Sequence, residues 1–463
     1  LADCYFVTKE YSKAITAYNT IINNQGVGAD YAMYQKGISY GFLGDNDKKI
    51  NNLNRLINTY ELTSLKDDAL YELANTYVAQ NNNDKAHETY NTLTRQHTKS
   101  SYIPRALLRQ GLVHYNSNET TEALNKFRKI VSDFPNSNEV KEAVDNARIV
   151  YVDIGQVDVY AAWVKTISTI DVSNADIDNS TFEAADNKFL EGNTEKAIEG
   201  FTKYIATFPN GIHALKSNFH LAQLLSKTNR GNEAIPYYKF VVDQDRSEFS
   251  EEALNKLAQL YLENDDWSNA TPLLIRLEQE ANYPQNILFA QSNLMKGYYL
   301  SGQFKETVMY AEKVLQKEKL DKTVESDAKI MIARSAIKTD DFKRAEDFYK
   351  QVESTATGEL KAEALYYDAY FKNQHKKYAE SNKVVQKLIA DYSTYKYWGV
   401  KSYIIMAKNH YGLKDAYQAT YILENIIKNF TQFEDVIAEA TKELNSIKAK
   451  EAKTNESVTP NNN

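Results

Sequence analysis

Residues 185–211 read ADNKFLEGNTEKAIEGFTKYIATFPNG. Three of these positions organise the stretch: Ala185, Ala197 twelve residues on, and Phe201 four residues after that. Gly192 lies between the two alanines and accepts a left-handed backbone. Phe208-Pro209-Asn210-Gly211 closes the stretch, because Pro cannot continue a helix. Two antiparallel helices approach closely only where both carry small side chains. The stretch therefore reads as a helical hairpin, with Ala185 on a first helix, A, and Ala197 on a second, B. Phe201 lies one turn further along B on the same face, where it fills the space toward the next hairpin.

The same trio recurs along the whole chain. Clear copies are Ala2, Ala14, Tyr18; Ala74, Ala86, Tyr90; Gly111, Ala123, Phe127; Ala222, Ala234, Tyr238; and Ala258, Ala270, Leu274. Weaker copies are Gly37, Lys49, Leu53; Met295, Thr307, Ala311; Ala333, Ala345, Tyr349; Ala369, Ser381, Val385; and Ala407, Ala419, Leu423. One slot is degenerate, with Arg148, Tyr160 and Val164. The middle residues fall at 14, 49, 86, 123, 160, 197, 234, 270, 307, 345, 381 and 419, so twelve hairpins follow one another at a period near 37. The turn position is Gly44, Gly155, Gly192 or Gly302 in some copies, and Asn81, Asn118, Asn229, Asp265 or Asp340 in others. All of these residue types accept a left-handed backbone or cap a helix.

Composition agrees and excludes alternatives. Sixteen glycines and 7 prolines in 463 residues are too few for the frequent turns of a sandwich, barrel or Rossmann-type sheet. Hydrophobic content of 43% suffices to bury a core. A net charge of −7 gives no basic face for nucleic acid. The single cysteine, Cys4, excludes a disulfide framework, and its place on the first A helix reads as a packed thiol. No apolar run is long enough to span a membrane. The chain opens at Leu1 with no basic, apolar leader, which reads as a piece of a longer or processed polypeptide.

This repeat resembles the tetratricopeptide repeat (TPR) over residues 1 to about 446, with a period slightly longer than the usual 34. The resemblance implies an all-α fold, an α-α superhelix of antiparallel hairpins. Phe134-Pro135-Asn136-Ser137 and Phe208-Pro209-Asn210-Gly211 at two B-helix ends are similar to those of TPR proteins of the Gram-negative envelope. Examples are the periplasmic coordinator of the Tol-Pal system and the lipoprotein of the outer-membrane β-barrel assembly machine. Departures from the pattern set three expectations. Lys49 should splay its hairpin or snorkel. The polar stretch Ser168 to Asn179 should form a bend or break, dividing the solenoid into segments 1–170 and 171–446. Residues 447–463 lose the period and read as a disordered tail.

Helix A residues line the concave side of such a solenoid. Those facing the groove are Tyr34, Tyr71, Asn75, Arg105, Arg109, Leu112, Tyr115, Phe182, Phe189, Phe219, Tyr299, Arg334, Tyr366, Tyr370 and Tyr411. Each aromatic either anchors a peptide or packs between hairpins. The clamp by which some TPR proteins grip a chaperone C-terminus is incomplete: Arg105 and Arg109 match its last repeat, but Glu72, Tyr34 and Ile38 stand where Asn, Lys and Asn are needed.

The sequence offers no catalytic constellation, no cofactor site and no metal motif. His213 and His220, seven apart, read as packing residues, and Asp67-Asp68 as charges favoured at a helix start. The resemblance thus implies a non-enzymatic scaffold for protein or peptide partners. The envelope likeness places it in the periplasm or peripherally at the outer membrane, in assembly, secretion or division machinery. Two further readings are the recruitment arm of a larger envelope enzyme and a cytoplasmic co-chaperone.

Overall fold

The computed structural model describes residues 1–458. All of their regular structure is helical, and no strand occurs among them. The chain divides into two compact units, Leu1–Tyr237 and Tyr238–Asn463. The first contains α1 (Ala2–Val7), α2 (Tyr11–Asn23), α3 (Ala29–Phe42), α4 (Asn46–Thr59), α5 (Lys66–Ala79), α6 (Asn83–Gln96), α7 (Ile103–Asn116), α8 (Thr120–Asp133), α9 (Glu139–Asp153), α10 (Val157–Val164), α11 (Asn174–Leu190), α12 (Thr194–Thr207) and α13 (Ala214–Lys227). Helix α14 (Gly231–Val242) carries the division. The second unit continues with α15 (Ser250–Glu263), α16 (Trp267–Glu280), α17 (Pro284–Leu300), α18 (Phe304–Leu315), α19 (Lys322–Lys338), α20 (Phe342–Thr355), α21 (Gly358–Gln374), α22 (Tyr378–Asp391), α23 (Lys396–Gly412), α24 (Ala416–Asn429) and α25 (Glu434–Val458). Odd helices are the A helices and even ones the B helices. Consecutive helices pack as hairpins, and each unit is a TPR-like solenoid.

The hairpin turns repeat one device. The residue five before each B-helix small position has a positive φ, as at Gly44 (77°), Asn81 (58°) and Gly192 (74°). The next N–H then reaches back to the carbonyl five residues earlier, as from Asp45 to Tyr40 (3.0 Å) and from Asn193 to Lys188 (2.9 Å). This is the Schellman closure of helix A, which satisfies carbonyls that a helix end leaves open. Lys9, Lys376 and Lys414 fill the same place in three copies. These lysines were not legible as turn residues, because their type disfavours the left-handed region. Asp45, Asn82, Asn193, Asp266, Asp341 and Asp415 then cap the following B helix with their side chains.

The small residues and the large residues of the trios are buried as read, from Ala14 and Tyr18 to Ala419 and Leu423. Lys49 takes the snorkelling course. Its stem lies across Gly41, where a Cβ would stand 2.8 Å from its Cδ. Its Nζ reaches Glu72 Oε2 at 2.7 Å, and the side chain is only 13% exposed. In the degenerate fifth copy the close contact moves by one residue: Ala143 and Ala147 are fully buried in a core with Tyr160 and Val164. Arg148 turns outward instead, to Glu183 (2.7 Å).

Three further readings meet the structure differently. Cys4 is exposed, because two residues from buried Ala2 it falls on the opposite side of α1. The stretch 168–179 lies inside the first unit, and residues 174–179 of it already form the start of α11, where Ser173 and Asp176 make a capping box. Helix α25 runs to Val458 and buries Ile447, so helix continues through 447–458; residues 459–463 lie outside the described ones.

Candidate functional site

The A helices of the first unit carry an open part of the predicted groove. Tyr34, Gln35, Ile38 and Phe42 on α3 face Glu72, Asn75 and Ala79 on α5 across a cleft of about 570 Å³, with Lys49 of α4 on its floor. Two causes position these groups. The 3.6-residue period brings Tyr34, Ile38 and Phe42 to one face. Gly37 and Gly41 on the same helix let α4 approach closely behind it. Burial, with the charges of Glu72 and Asp68, pushes the Tyr34 phenol well above the ordinary tyrosine range, so it stays a hydroxyl. Asn75 Oδ1 accepts from the Tyr90 hydroxyl at 2.6 Å. Tyr71 stacks on Tyr102 at 4.8 Å, and the Tyr102 hydroxyl, pushed up to about 12 by burial and Asp68, donates to Asp68 at 2.8 Å.

Arg105 and Arg109 follow on α7, one turn apart and both exposed. Arg105 Nε lies 2.9 Å from Glu139. Arg109 forms no ion pair with any described residue. Leu112 is half-buried against the neighbouring core, and the Tyr115 hydroxyl donates to Asp153.

Other predicted groove residues turn inward. Phe182 and Phe219 are buried, Phe182 between the His213 ring (4.1 Å) and the Phe201 ring (6.1 Å). Phe189 packs on His220 at 4.5 Å. In the second unit Tyr366 is buried against Trp398 (5.4 Å), and Tyr370 packs edge-on to Phe371 (5.3 Å). Tyr299 meets Phe304 edge-on, and the Tyr411 hydroxyl donates to Glu451 at 3.1 Å. Arg334 is held by a buried carboxylate, Glu363, through two bonds of 2.9 and 2.6 Å.

The structure also contains a tie that sequence reasoning missed. Acidic residues in the first two turns of A helices accept hydrogen bonds from the loop that opens the next A helix. Asp30 accepts from Thr63 Oγ1 (2.8 Å), Asp67 from Ser100 Oγ (2.6 Å) and Asp178 from the Ile212 N–H (3.0 Å). Glu251 accepts from the N–H groups of Asn282 (2.9 Å) and Tyr283 (3.1 Å). The available signal was an acid followed by a loop Ser or Thr 33 residues later, as in Asp30–Thr63 and Asp67–Ser100.

Residues 31–62 and 71–138 each match a family model of the tetratricopeptide repeat. These segments are tetratricopeptide repeats. No curated protein matches the chain in sequence. Among solved structures the chain is similar to a tetratricopeptide repeat protein from Parabacteroides merdae, with 15% identity, a TM-score of 0.28, and coverage of 56% of this chain and 95% of that one. It is similar to yeast Tom70 at 15% identity and a TM-score of 0.29, covering 97% and 95% of the two chains. The TPR domain of P58(IPK) follows at 13% identity and a TM-score of 0.24, covering 91% and 99%.

Beside the TPR groove, one polar cluster stands at the seam of two TPR hairpins. His87 of α6 stacks on His114 of α7 with ring centres 4.0 Å apart, and His114 Nδ1 lies 2.6 Å from Glu119 Oε2. Burial, and then the neighbouring His114, lower the His87 pKa, so its ring is neutral at physiological pH. The sequence reading found no metal motif and weighed only His213 with His220. Instead His213 bonds Asn179 (2.8 Å) and stacks on Phe182, and the three-ligand group lies elsewhere.

Proposed function

We propose that this chain is a non-enzymatic scaffold that binds an extended segment of a partner protein along the A-helix face of α3, α5 and α7. The observation that carries this reading is the continuity of that face, from the aromatic and apolar cleft at Tyr34, Ile38 and Phe42 to the exposed guanidiniums of Arg105 and Arg109. TPR architecture supports a protein partner. Rigid aromatic rings anchor a ligand at low entropic cost. Arg109, with no carboxylate of its own, is the group that takes an acidic side chain or terminus, in the two-pronged geometry a guanidinium favours. Lys49 and Glu72 pair with each other at the cleft, so the cleft itself offers no free cation to an acid. The bound segment therefore carries an apolar or aromatic residue for the cleft and an acidic residue toward α7.

We further propose a cell-envelope setting, periplasmic or at the outer-membrane surface. Its support is the Phe-Pro-Asn ending of α8 and α12, which close at Asp133 and Thr207. The test is co-purification of the full-length protein from its native source, with partners identified by mass spectrometry. Envelope proteins are the expected yield. Recovery of cytosolic chaperones alone overturns the envelope setting and favours the co-chaperone reading. A catalytic domain on the same polypeptide favours the recruitment-arm reading.

A further inference from the structure

The seam between α6 and α7 carries a polar cluster beside its apolar core of Tyr90, Leu93 and Ala106. Three side chains converge there from consecutive helices: His87 of α6, His114 of α7 and Glu119, the N-cap residue of α8. One ligand atom from each lies within 4.8 Å of the others, a grouping that no other three His, Cys, Asp or Glu side chains make among the described residues. A second observation points to a ligand. His87 Nδ1 is buried without a hydrogen-bond partner, although a ring nitrogen cut off from water is normally paired. Gln110, one turn before His114, directs its amide N–H groups to the His87 carbonyl and Asn91, and its own Oε1 is also buried without a partner.

We propose that His87, His114 and Glu119 form a binding site for a divalent transition-metal cation of the zinc class. Two imidazoles with one carboxylate are the donor set of a borderline ion, whereas magnesium and calcium favour oxygen alone. A tetrahedral zinc with bonds of about 2.0–2.1 Å holds its donors about 3.3 Å apart, and the three ligand atoms already lie within 4.8 Å of one another; binding requires the two stacked rings to swing apart, so that an in-plane nitrogen lone pair of each meets the ion, and the His114–Glu119 bond to open around it. Both rings are half-buried and Glu119 is exposed, which leaves an open side for entry and for a water as fourth ligand. The ion fastens α6 of one hairpin to α7 and α8 of the next. This site is independent of the proposed groove.

The experiment uses the full chain stripped with a chelator and titrated with zinc alone, followed by calorimetry and by thermal unfolding. Saturation at one zinc per chain is expected, with a rise in the melting temperature, since the folded chain alone brings the three ligands together. His87→Gln and Glu119→Gln each weaken binding by at least the roughly 10–100-fold typical of losing even an outer partner of a metal site. His213→Gln leaves it unchanged. Glu119 is exposed, so its variant keeps the fold if the histidine variant does not. Absence of saturation up to about 100 μM zinc, or an affinity in both His87→Gln and Glu119→Gln equal to that of the unsubstituted chain, overturns the proposal and leaves a stacked imidazole pair.

Discussion

Arg334→Met lowers the stability of the second unit by about 3–5 kcal/mol, the cost of leaving a buried charge without its partner. Glu363 keeps only 4% of its side chain exposed, and both of its oxygens are bonded to Arg334. The Tyr349 hydroxyl donates to the same carboxylate at 2.9 Å. This pairing holds the Arg334 guanidinium above even its ordinary range, so it is charged at every accessible pH. Removing it strands Glu363 among Tyr349, Tyr367 and Tyr299. Because Arg334 itself is about a third exposed, entering water offsets part of the loss, and the lower end of the range is the firmer expectation. The measurement is urea unfolding, together with hydrogen exchange of α19 to α21, because repeat arrays need not unfold in one step. The double variant Arg334→Met/Glu363→Gln regains most of the loss. Equal losses in the single and double variants would show that the pair contributes packing rather than charge compensation.

Asp178→Ala costs about 2–4 kcal/mol in the first unit, by the same logic applied to hydrogen bonds. Asp178 Oδ1 accepts from the Tyr204 hydroxyl (2.6 Å) and Oδ2 from the Ile212 N–H (3.0 Å), while Tyr204 in turn accepts from the His213 N–H (2.9 Å). The residue is buried, so alanine leaves two donors unmet and opens a gap. Gly211 packs against this network, since a Cβ there would collide with both Asp178 and Tyr204. Asp178→Asn, which keeps the acceptor at one oxygen only, falls between the two. The readout is the unfolding midpoint, with exchange of the Ile212 and His213 amides as the local marker. Unchanged protection of those amides in the alanine variant would count against the network.

Asp178 also shows where the sequence was legible and where it was not. The trios reported themselves, because a small residue in a helix–helix contact is a local property that recurs with the period. The turns were half visible: Gly44 and Asn81 declare a left-handed backbone, whereas Lys376 adopts one only because the closure around it demands it. Asp178 looked like part of a polar break, because nothing in residues 168–179 shows that its partners wait at 204 and 212. A tie between successive repeats is long-range in sequence and carries no local pattern. The groove suffered from the same limit. Tyr34 and Tyr366 occupy equivalent A-helix places, yet Tyr34 lines an open cleft and Tyr366 is sealed by Trp398 of the next A helix. Spacing gave the face, and the neighbour's size decided between packing and exposure.

The claim that the α3–α5–α7 face receives the partner is tested most directly by site-specific photo-cross-linking. A photoreactive residue is placed in turn at Ile38 in the cleft, at Arg109 on α7, and at Lys129 on the exposed side of α8. The chain is then irradiated with its co-purified partner and the adducts are mapped by mass spectrometry. The proposed binding mode predicts adducts from Ile38 and Arg109, on one contiguous partner segment, and none from Lys129. Capture from Lys129 with none from the other two positions would contradict it.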